Sequence, residues 1–455
     1  MKNEVNERSG SLKNSYYSRE DLRHIRQGTK AMKAAGTKYL PQHPGEPDEQ
    51  YTSRLQSSVL HNITARIIDV LTARPFKKIA FIQSKNPEIS KLNINFDGSG
   101  QSFTDSLRLY FQEALWDSQA HVFVDFSKSK KDPTGAPIYT PNSKHRVKLI
   151  NNDNILNGRY DKETGELTYL RFRDYICVQE GFNDKEVLQI WEFKKEFGEV
   201  FFRKHIEHKM ENETVFEPDP WDKFSLKFIP FLSLYPKPTK VKFNPKLIFQ
   251  DMAELNITHW QSYSEQRNAL KFARIPILFF KGVDLSTKDG GIKLGSQYAV
   301  ATKHVEADGK YIETAGTAIK DGRDDVLDLE QKMQALGFEL LAKKQGAQTA
   351  TGATYDMEST NSLLGCFAVA LKEFSENLIK IICAWYNIND DFEVNLDTKF
   401  NIDYNDEKIR TLLAIWTNGG IKTDSFLIEM KKHGVIHEEA DIDTIIGIAG
   451  LNEKF

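Results

Sequence analysis

Cysteine is scarce in this sequence, whose 455 residues contain only Cys177, Cys366 and Cys383. The three are far apart, form no CxxC pair and leave an odd number. This pattern excludes a disulfide scaffold and indicates a reducing compartment. We expect Cys366 and Cys383 to pack as small hydrophobic side chains.

Long hydrophobic runs and an excess of charge of one sign are also missing. No run approaches the ~18 apolar residues of a membrane-spanning helix, and the N-terminal stretch lacks the apolar core of a signal peptide. Lys and Arg total 61 against 64 Asp and Glu, giving a formal net charge of -3. We therefore expect a soluble, intracellular protein whose contacts with DNA, if any, are local or weak.

Motifs typical of enzymes are absent as well. The sequence has no GxxxxGK[ST], no GxGxxG after a strand, no HExxH and no GxSxG. His205 and His208 have no third ligand nearby in sequence, and we expect them at the solvated end of a strand. His433 and His437 are separated by Gly434, which should end a helix. The sequence predicts no catalysis, no metal site and no cofactor.

Helical patterns alternate with breaks in the first part of the chain. We expect a disordered arm up to Tyr17, followed by a short basic helix capped by Ser18. Apolar residues at intervals of four then predict one helix over residues 48–73, ended by a proline. A helical repeat over residues 103–116 leads into the buried strand AHVFVDF. Helix followed directly by strand is typical of an α+β fold.

The middle of the chain is rich in β-structure and then turns to a long helix. Short strands with glycine-containing turns between residues 146 and 205 predict hairpins. Asn244-Pro245 predicts the start of a helix that runs to about Lys271. Its apolar residues do not form one stripe, and polar residues interleave with them. We therefore expect this helix to pack among neighbouring subunits.

A β-rich insert with frequent glycine separates this helix from a second one. Asp324 is expected to cap the second helix, whose apolar residues alternate in steps of three and four: Val326, Leu329, Met333, Leu336 and Leu340. The polar stretch KKQGAQTATGATYD, from Lys343 to Asp356, follows and offers almost nothing to a core. Behind it we expect a regular helix carrying Leu364, Phe367, Leu371, Phe374, Leu378, Ile381 and Trp385, and then a strand.

The C-terminal segment contains the sharpest conventional motif. Two short helices about Gly419-Gly420 can form a helix-turn-helix, the second capped by Thr423 or Asp424. Glu429 and its apolar neighbours leave few basic side chains for a DNA groove, which favours simple packing between the helices. A cytoplasmic DNA-binding regulator that uses this segment is the alternative function.

The order of elements resembles that of the portal proteins of tailed bacteriophages: an α+β body, a long helix, a β insert, a second helix, a polar loop, a third helix and a return strand. The local sequence is similar too, from about Tyr51 to Ile436. The matching pieces include YTSRLQSSVLHNITARIIDVLTARPF, LRLYFQEALWDSQAHVFVDF, KLINNDNILNGRYDKETGELTYLRFRD and the segment from IPFLSLYPKP to RIPILFFKGV.

The resemblance implies an α+β portal fold and a homo-oligomeric ring, usually of twelve subunits. The ring would be assembled in the host cytoplasm and located at the capsid vertex of the virion. The parts would be an N-terminal arm (1–46), the wing (47–243), stem helix 1 (244–273), the clip (274–322), stem helix 2 (323–342), the tunnel loop (343–358), the wing helix with its return strand (359–404) and a short crown (405–455).

The resemblance also implies partners and site residues. Double-stranded DNA would cross the channel during packaging and ejection, and the other partners would be the terminase large subunit, the head-tail adaptor and the major capsid or scaffolding protein. The tunnel loop would contribute Lys343, Lys344, Gln345, Gln348, Thr349, Thr351, Thr354 and Tyr355. The clip would dock motor and adaptor through Lys281, Asp284, Lys288, Asp289, Lys293, Gln297 and Tyr298. Independently, a surface past which DNA slides should be small and lightly charged, because each neutralised phosphate adds a salt-dependent grip.

Overall fold

The computed structural model describes residues 4–126, 145–209, 214–274, 277–281, 306, 308–312, 316–337, 350–398, 406–418 and 420–432. The fold is α+β, as the sequence predicts. The chain forms two compact units: unit 1 comprises Met1–Lys343 and Ala370–Leu396, and unit 2 comprises Lys344–Val369 and Asp397–Phe455. Among the residues just given, no helix is both long and apolar enough to cross a membrane.

The helices of unit 1 are α1 (Gly10–Ser18), α2 (Glu20–Gln27), α3 (Thr29–Ala35), α4 (Asp48–Ser57), α5 (Ile63–Ala73), α6 (Pro87–Lys91), α7 (Phe103–Asp117), α8 (Gln250–Ala273) and α9 (Gly316–Leu336). Helix α10 (Ala350–Tyr386) contributes residues to both units. Unit 2 also contains α11 (Asp406–Thr417) and α12 (Thr423–Lys432).

The described strands all belong to unit 1: β1 (Phe81–Ser84), β2 (Ala120–Phe126), β3 (His145–Ile150), β4 (Ile155–Tyr160), β5 (Leu167–Glu180), β6 (Asn183–Glu196), β7 (Glu199–Lys209), β8 (Thr214–Pro218), β9 (Asp222–Lys223), β10 (Phe231–Leu234), β11 (Ile277–Lys281), β12 (Asp308–Ile312) and β13 (Phe392–Asn395). Two two-stranded sheets, β1-β13 and β11-β12, accompany a three-stranded sheet of order β10-β2-β3 and a six-stranded sheet containing β4-β5-β6-β7-β8, with β9 paired to β7.

An aromatic cluster joins the two larger sheets of unit 1. The ring of Phe123 on β2 lies 5.2 Å from that of Phe172 on β5 and 5.3 Å from that of Trp191 on β6. Phe123 and Phe172 are almost completely buried. These residues come from the predicted hairpin region and from the predicted helix-to-strand unit, so both of those predictions are confirmed.

The prediction of a disordered N-terminal arm is wrong. Residues before Tyr17 form most of α1, where Leu12 is buried, and the backbone amide of Ser9 donates to the carbonyl of Leu156 at 2.9 Å. Ser18 ends α1 instead of capping the next helix, and Arg19 occupies the cap position of α2. A few regularly spaced apolar side chains are therefore enough to pack this segment against the rest of unit 1.

The predicted single helix over residues 48–73 is divided into α4 and α5, although its two ends are confirmed. The Asn62 side chain accepts a hydrogen bond from the amide of Ala65 at 3.0 Å, so it caps a new helix. Val59, which the four-residue pattern places on the apolar face, is 54% exposed in the link. A strong N-cap residue inside an apolar repeat therefore interrupts the helix.

The return strand is confirmed, because β13 pairs antiparallel with β1, with Val394 opposite Ile82. The helix before it, α10, buries Leu371 and Leu378 in unit 1. All three cysteines are unpaired, and Cys383 is buried as expected. Cys366 is exposed, so its prediction as a buried residue is wrong.

Helices α11 and α12 of unit 2 pack on each other. Phe426 and Leu427 form a small buried cluster, and the ring of Trp416 stacks on Phe426 at 4.7 Å. The Trp416 indole nitrogen donates to the Thr423 hydroxyl at 3.3 Å. The apolar side of α12 is therefore used for packing between the two helices. Asp424 and Ile428 are among its exposed side chains.

Candidate functional site

Helices α8 and α9 form an antiparallel pair, and this pair organises the candidate site. The Gln266 amide nitrogen on α8 donates to the carbonyl of Ile319 on α9 at 2.8 Å, and His259 of α8 lies 3.2 Å from Glu330 of α9. Both predicted helix starts are wrong. Helix α8 begins at Gln250, after a non-helical segment in which the amide of Ile248 donates to the hydroxyl of Ser118.

Helix α9 begins at Gly316, so Asp324 lies inside the helix and does not cap it. Val326, Leu329 and Met333 are buried, as the stripe predicts. Leu336 is 49% exposed, which contradicts its place in that stripe, and Leu340 lies outside the described residues. The exposed side chains of α9 include acidic, basic and apolar ones: Lys320, Asp321, Arg323, Asp324, Asp325, Leu327, Asp328, Lys332 and Leu336.

The polar side chains of α8 find their partners within the same chain. The buried Asn256 accepts from the amide and hydroxyl of Thr64 and donates to the carbonyl of His61. The hydroxyls of Ser264 and Ser58 lie 2.7 Å apart, and Gln261 donates to a backbone carbonyl of the N-terminal region. Contacts on several sides of this helix were predicted correctly. We expected neighbouring subunits to provide these contacts, and for the polar groups this was wrong. Their partners belong to α4, α5 and the segments beside those helices in the same chain.

The β-rich insert is described only at its two ends, which pair as the antiparallel strands β11 and β12. Ile277 is opposite Ile312, and Lys281 is opposite Asp308. Lys281 is exposed. The other predicted clip residues, Asp284, Lys288, Asp289, Lys293, Gln297 and Tyr298, lie outside the described residues.

The predicted tunnel loop, residues 343–358, also falls partly outside the described residues. This applies to Lys343, Lys344, Gln345, Gln348 and Thr349. Thr351, Thr354 and Tyr355 lie in helical backbone, because α10 begins at Ala350 and not at residue 359. Alanine, methionine and glutamate in this stretch favour helix, and that propensity outweighs the polar composition from which a loop was predicted.

The predicted solvated end of strand β7 contains a buried hydrogen-bonded pair. His205 is 5% exposed, and its Nε2 lies 2.9 Å from Oε2 of Glu192 on β6. Glu192 also accepts from Tyr169 at 2.7 Å and from Arg203 at 2.7 Å. Burial alone would raise the pKa of Glu192, but the three hydrogen bonds outweigh it and lower the pKa to about 2. His208 is half-exposed. The predicted solvated position is therefore confirmed for His208 and wrong for His205.

A cluster that the sequence did not reveal lies beside α8 and α9. His61, His259 and Glu330 each place one possible metal-ligating atom within 4.8 Å of the other two. His61 comes from the link before α5, His259 from α8 and Glu330 from α9. Burial lowers the pKa of His259, against the opposing effect of its hydrogen bond with Glu330. No spacing rule could find this cluster, because its members are brought together only by tertiary packing.

Comparisons with known proteins give one partial family match. Residues 249–386 match a family described as a domain of unknown function (DUF4055). The match therefore begins one residue before α8 and ends with the last residue of α10. No curated protein matches the chain at a significant level.

Similar solved structures include a chain from the neck of an empty GTA particle computed with C6 symmetry, with a TM-score of 0.42 and 9% identity, covering 84% of this chain and 92% of that one. Another is from the virion of a native gene transfer agent (GTA) particle, with a TM-score of 0.43 and 10% identity, covering 89% and 98%. A third is from the neck of a native GTA particle computed with C12 symmetry, with a TM-score of 0.41 and 9% identity, covering 88% and 98%. At this level of likeness, no function is transferred to the chain.

Proposed function

We propose that this protein is a subunit of a phage-type portal, a homo-oligomeric ring at the capsid vertex of a virion. The observation that carries the proposal is the antiparallel α8–α9 pair with the paired strands β11 and β12 between its helices in sequence. In the portal resemblance this unit corresponds to stem helix, clip and stem helix. The α+β body that precedes it and the long α10 with its return strand β13 occupy the wing positions in the same order.

In this proposal α8 and α9 have different roles. The buried side of helix α8, which carries Asn256, His259 and Trp260, is packed by its own chain within unit 1, whereas residues such as Glu254 and Thr258 are exposed. Helix α9 buries one side only. Its outer side, with Leu327 at 42% and Leu336 at 49% exposed, is the side available to a neighbouring subunit.

In this proposal, two segments contact other molecules. One follows α9, and the other lies between β11 and β12. The stretch from Lys343 to Tyr355 would face DNA in the channel, with Lys343 and Lys344 touching phosphates briefly. The clip would meet the terminase motor and later the head-tail adaptor. Deleting residues 284–298 should therefore leave the wing folded but abolish motor or adaptor binding. Binding that survives this deletion would contradict the clip assignment.

The mass of the assembly in solution separates the proposal from its alternative. A DNA-binding regulator should be a dimer of about 100 kDa, twice the 52.2 kDa of one chain. A portal ring should have many times the mass of the chain. Light scattering across a range of concentrations distinguishes these cases, and a monomer or dimer at every concentration would count against the ring. Sequence-specific binding of a DNA duplex by that dimer would favour the regulator.

A further inference from the structure

We propose that His61, His259 and Glu330 form a site for a divalent transition-metal ion such as Zn²⁺. One nitrogen from each imidazole and one carboxylate oxygen form a His₂Glu donor set, which suits zinc and leaves a fourth position for water. The inference rests on these side chains alone, so it stands or fails independently of the portal proposal.

The two distances to Glu330 Oε1 match those expected around a shared ion, and the ligating atoms of all three residues lie within 4.8 Å of one another. His259 Nε2 lies 3.2 Å from Glu330 Oε1, and His61 Nδ1 lies 3.4 Å from the same oxygen. Charged hydrogen bonds between nitrogen and oxygen are typically about 2.7–2.9 Å long. Bonds of about 2.0–2.1 Å that meet at tetrahedral angles place their donor atoms about 3.3–3.4 Å apart. Both measured distances are close to that separation.

The donors are held in place before any ion binds. Asn256, one turn before His259 on α8, donates to the backbone carbonyl of His61 at 3.0 Å and so fixes the position of that residue. The ring of Tyr263, one turn after His259, stacks on the His259 ring at 5.8 Å with an interplanar angle of 10°. His259 is fully buried, and its orientation is therefore restricted on both sides along the helix.

The orientation of the imidazole nitrogens and the access route are also suitable. The hydrogen bond to Glu330 requires the proton on Nε2, so an ion would bind the tautomer with its proton on Nδ1, a nitrogen that has no hydrogen-bond partner among the described residues. The His61 side chain is 63% exposed and that of Glu330 is 25% exposed, which gives an ion a path from solvent. Binding would link α8, α9 and the segment before α5.

The test measures zinc binding to the full chain, purified with a chelator and without a polyhistidine tag. Equilibrium dialysis should give one Zn²⁺ per chain, and Co²⁺ should produce the absorption spectrum of a tetrahedral complex. His61→Ala and Glu330→Gln should each lose this site and the rise in melting temperature that Zn²⁺ causes. His61→Ala carries the test even if the other variant folds poorly, because His61 lies on the surface.

His43→Ala is the matched control. His43 also lies beside a carboxylate, 3.9 Å from Glu265, with both side chains about half-exposed. The control should keep the full zinc stoichiometry and the cobalt spectrum. The proposal is overturned if the wild-type chain binds no stoichiometric Zn²⁺, or if His61→Ala and Glu330→Gln bind it as well as His43→Ala does.

Discussion

Asn256 and Thr64 are joined by two hydrogen bonds, because the Asn256 side-chain oxygen accepts from the Thr64 amide at 3.2 Å and from its hydroxyl at 2.9 Å. Both residues are fully buried. Through this pair, α8 supplies a partner to one of the first amides of α5, which has no partner inside its own helix. The contact shows why α8 carries polar residues on its buried side.

We predict that Asn256→Ala destabilises unit 1. The change leaves the buried amide of Thr64 without its partner, at a cost of about 1–3 kcal/mol, whereas the carbonyl of His61 still accepts from the amide of Ile63. Thr258→Ala on the exposed side of α8 is the control, because the Thr258 hydroxyl donates only to the carbonyl of Glu254 in its own helix. Urea unfolding of both variants measures the difference. Equal stability of the two variants would show that the buried network contributes nothing.

A second prediction concerns pH. The folded-state pKa of Glu192 is about 2, below its ordinary value of 4.5, so its contribution to stability is present above pH 4.5 and is lost as the pH falls toward 2. The shift corresponds to about 3 kcal/mol at most. Glu192→Gln should lower the free energy of unfolding near neutral pH by about 1.5–3 kcal/mol and flatten this part of the acid dependence.

The control for this experiment is Glu186→Gln, an exposed residue of the same strand β6. Its acid dependence should follow that of the wild type. Urea unfolding at a series of acidic pH values gives both curves. If Glu192→Gln loses stability with acid as steeply as Glu186→Gln does, the buried pair of Glu192 and His205 is not the source of the acid sensitivity.

The third prediction separates channel function from folding. Lys343→Ala with Lys344→Ala should leave assembly and melting temperature nearly unchanged while altering the retention of packaged DNA, because the change removes two charges and little apolar area. Leu371→Ala with Phe374→Ala should do the reverse, since both side chains are buried and each truncation costs about 2–5 kcal/mol. A melting curve and a packaging assay are run on both double variants. If both double variants lose stability equally, the stretch that contains Lys343 and Lys344 contributes to folding, and its assignment to the channel is wrong.

The sequence was sufficient where local pattern and packing agree. The repeat of α7, the strand β2 and the hairpins of β5, β6 and β7 follow from periodicity alone. The predicted helix boundaries were wrong where a single side chain determines them, as at Asn62, which caps α5. Polar residues were misassigned on α8, because composition shows that a helix has polar contacts but not which segment provides them.

The order of the elements that form the candidate site was predictable from the sequence, but the contacts between them were not. Helix, β insert and second helix were expected in the order found, but the antiparallel packing of α8 on α9 was not predicted. The approach of His61 to His259 and Glu330 could not be expected, because it depends on how the link before α5 crosses α8. Single histidines separated by long stretches of chain carry no signal until the fold places them together.

Electron microscopy of the purified protein tests the central claim most directly. The portal proposal predicts particles that average to a closed ring of identical subunits around a central channel wide enough for a DNA duplex. The variant lacking residues 284–298 should still form rings, because its change lies in the clip and not in the α8–α9 pair. Compact particles of one or two chains without a channel, seen across concentrations, would contradict the proposal.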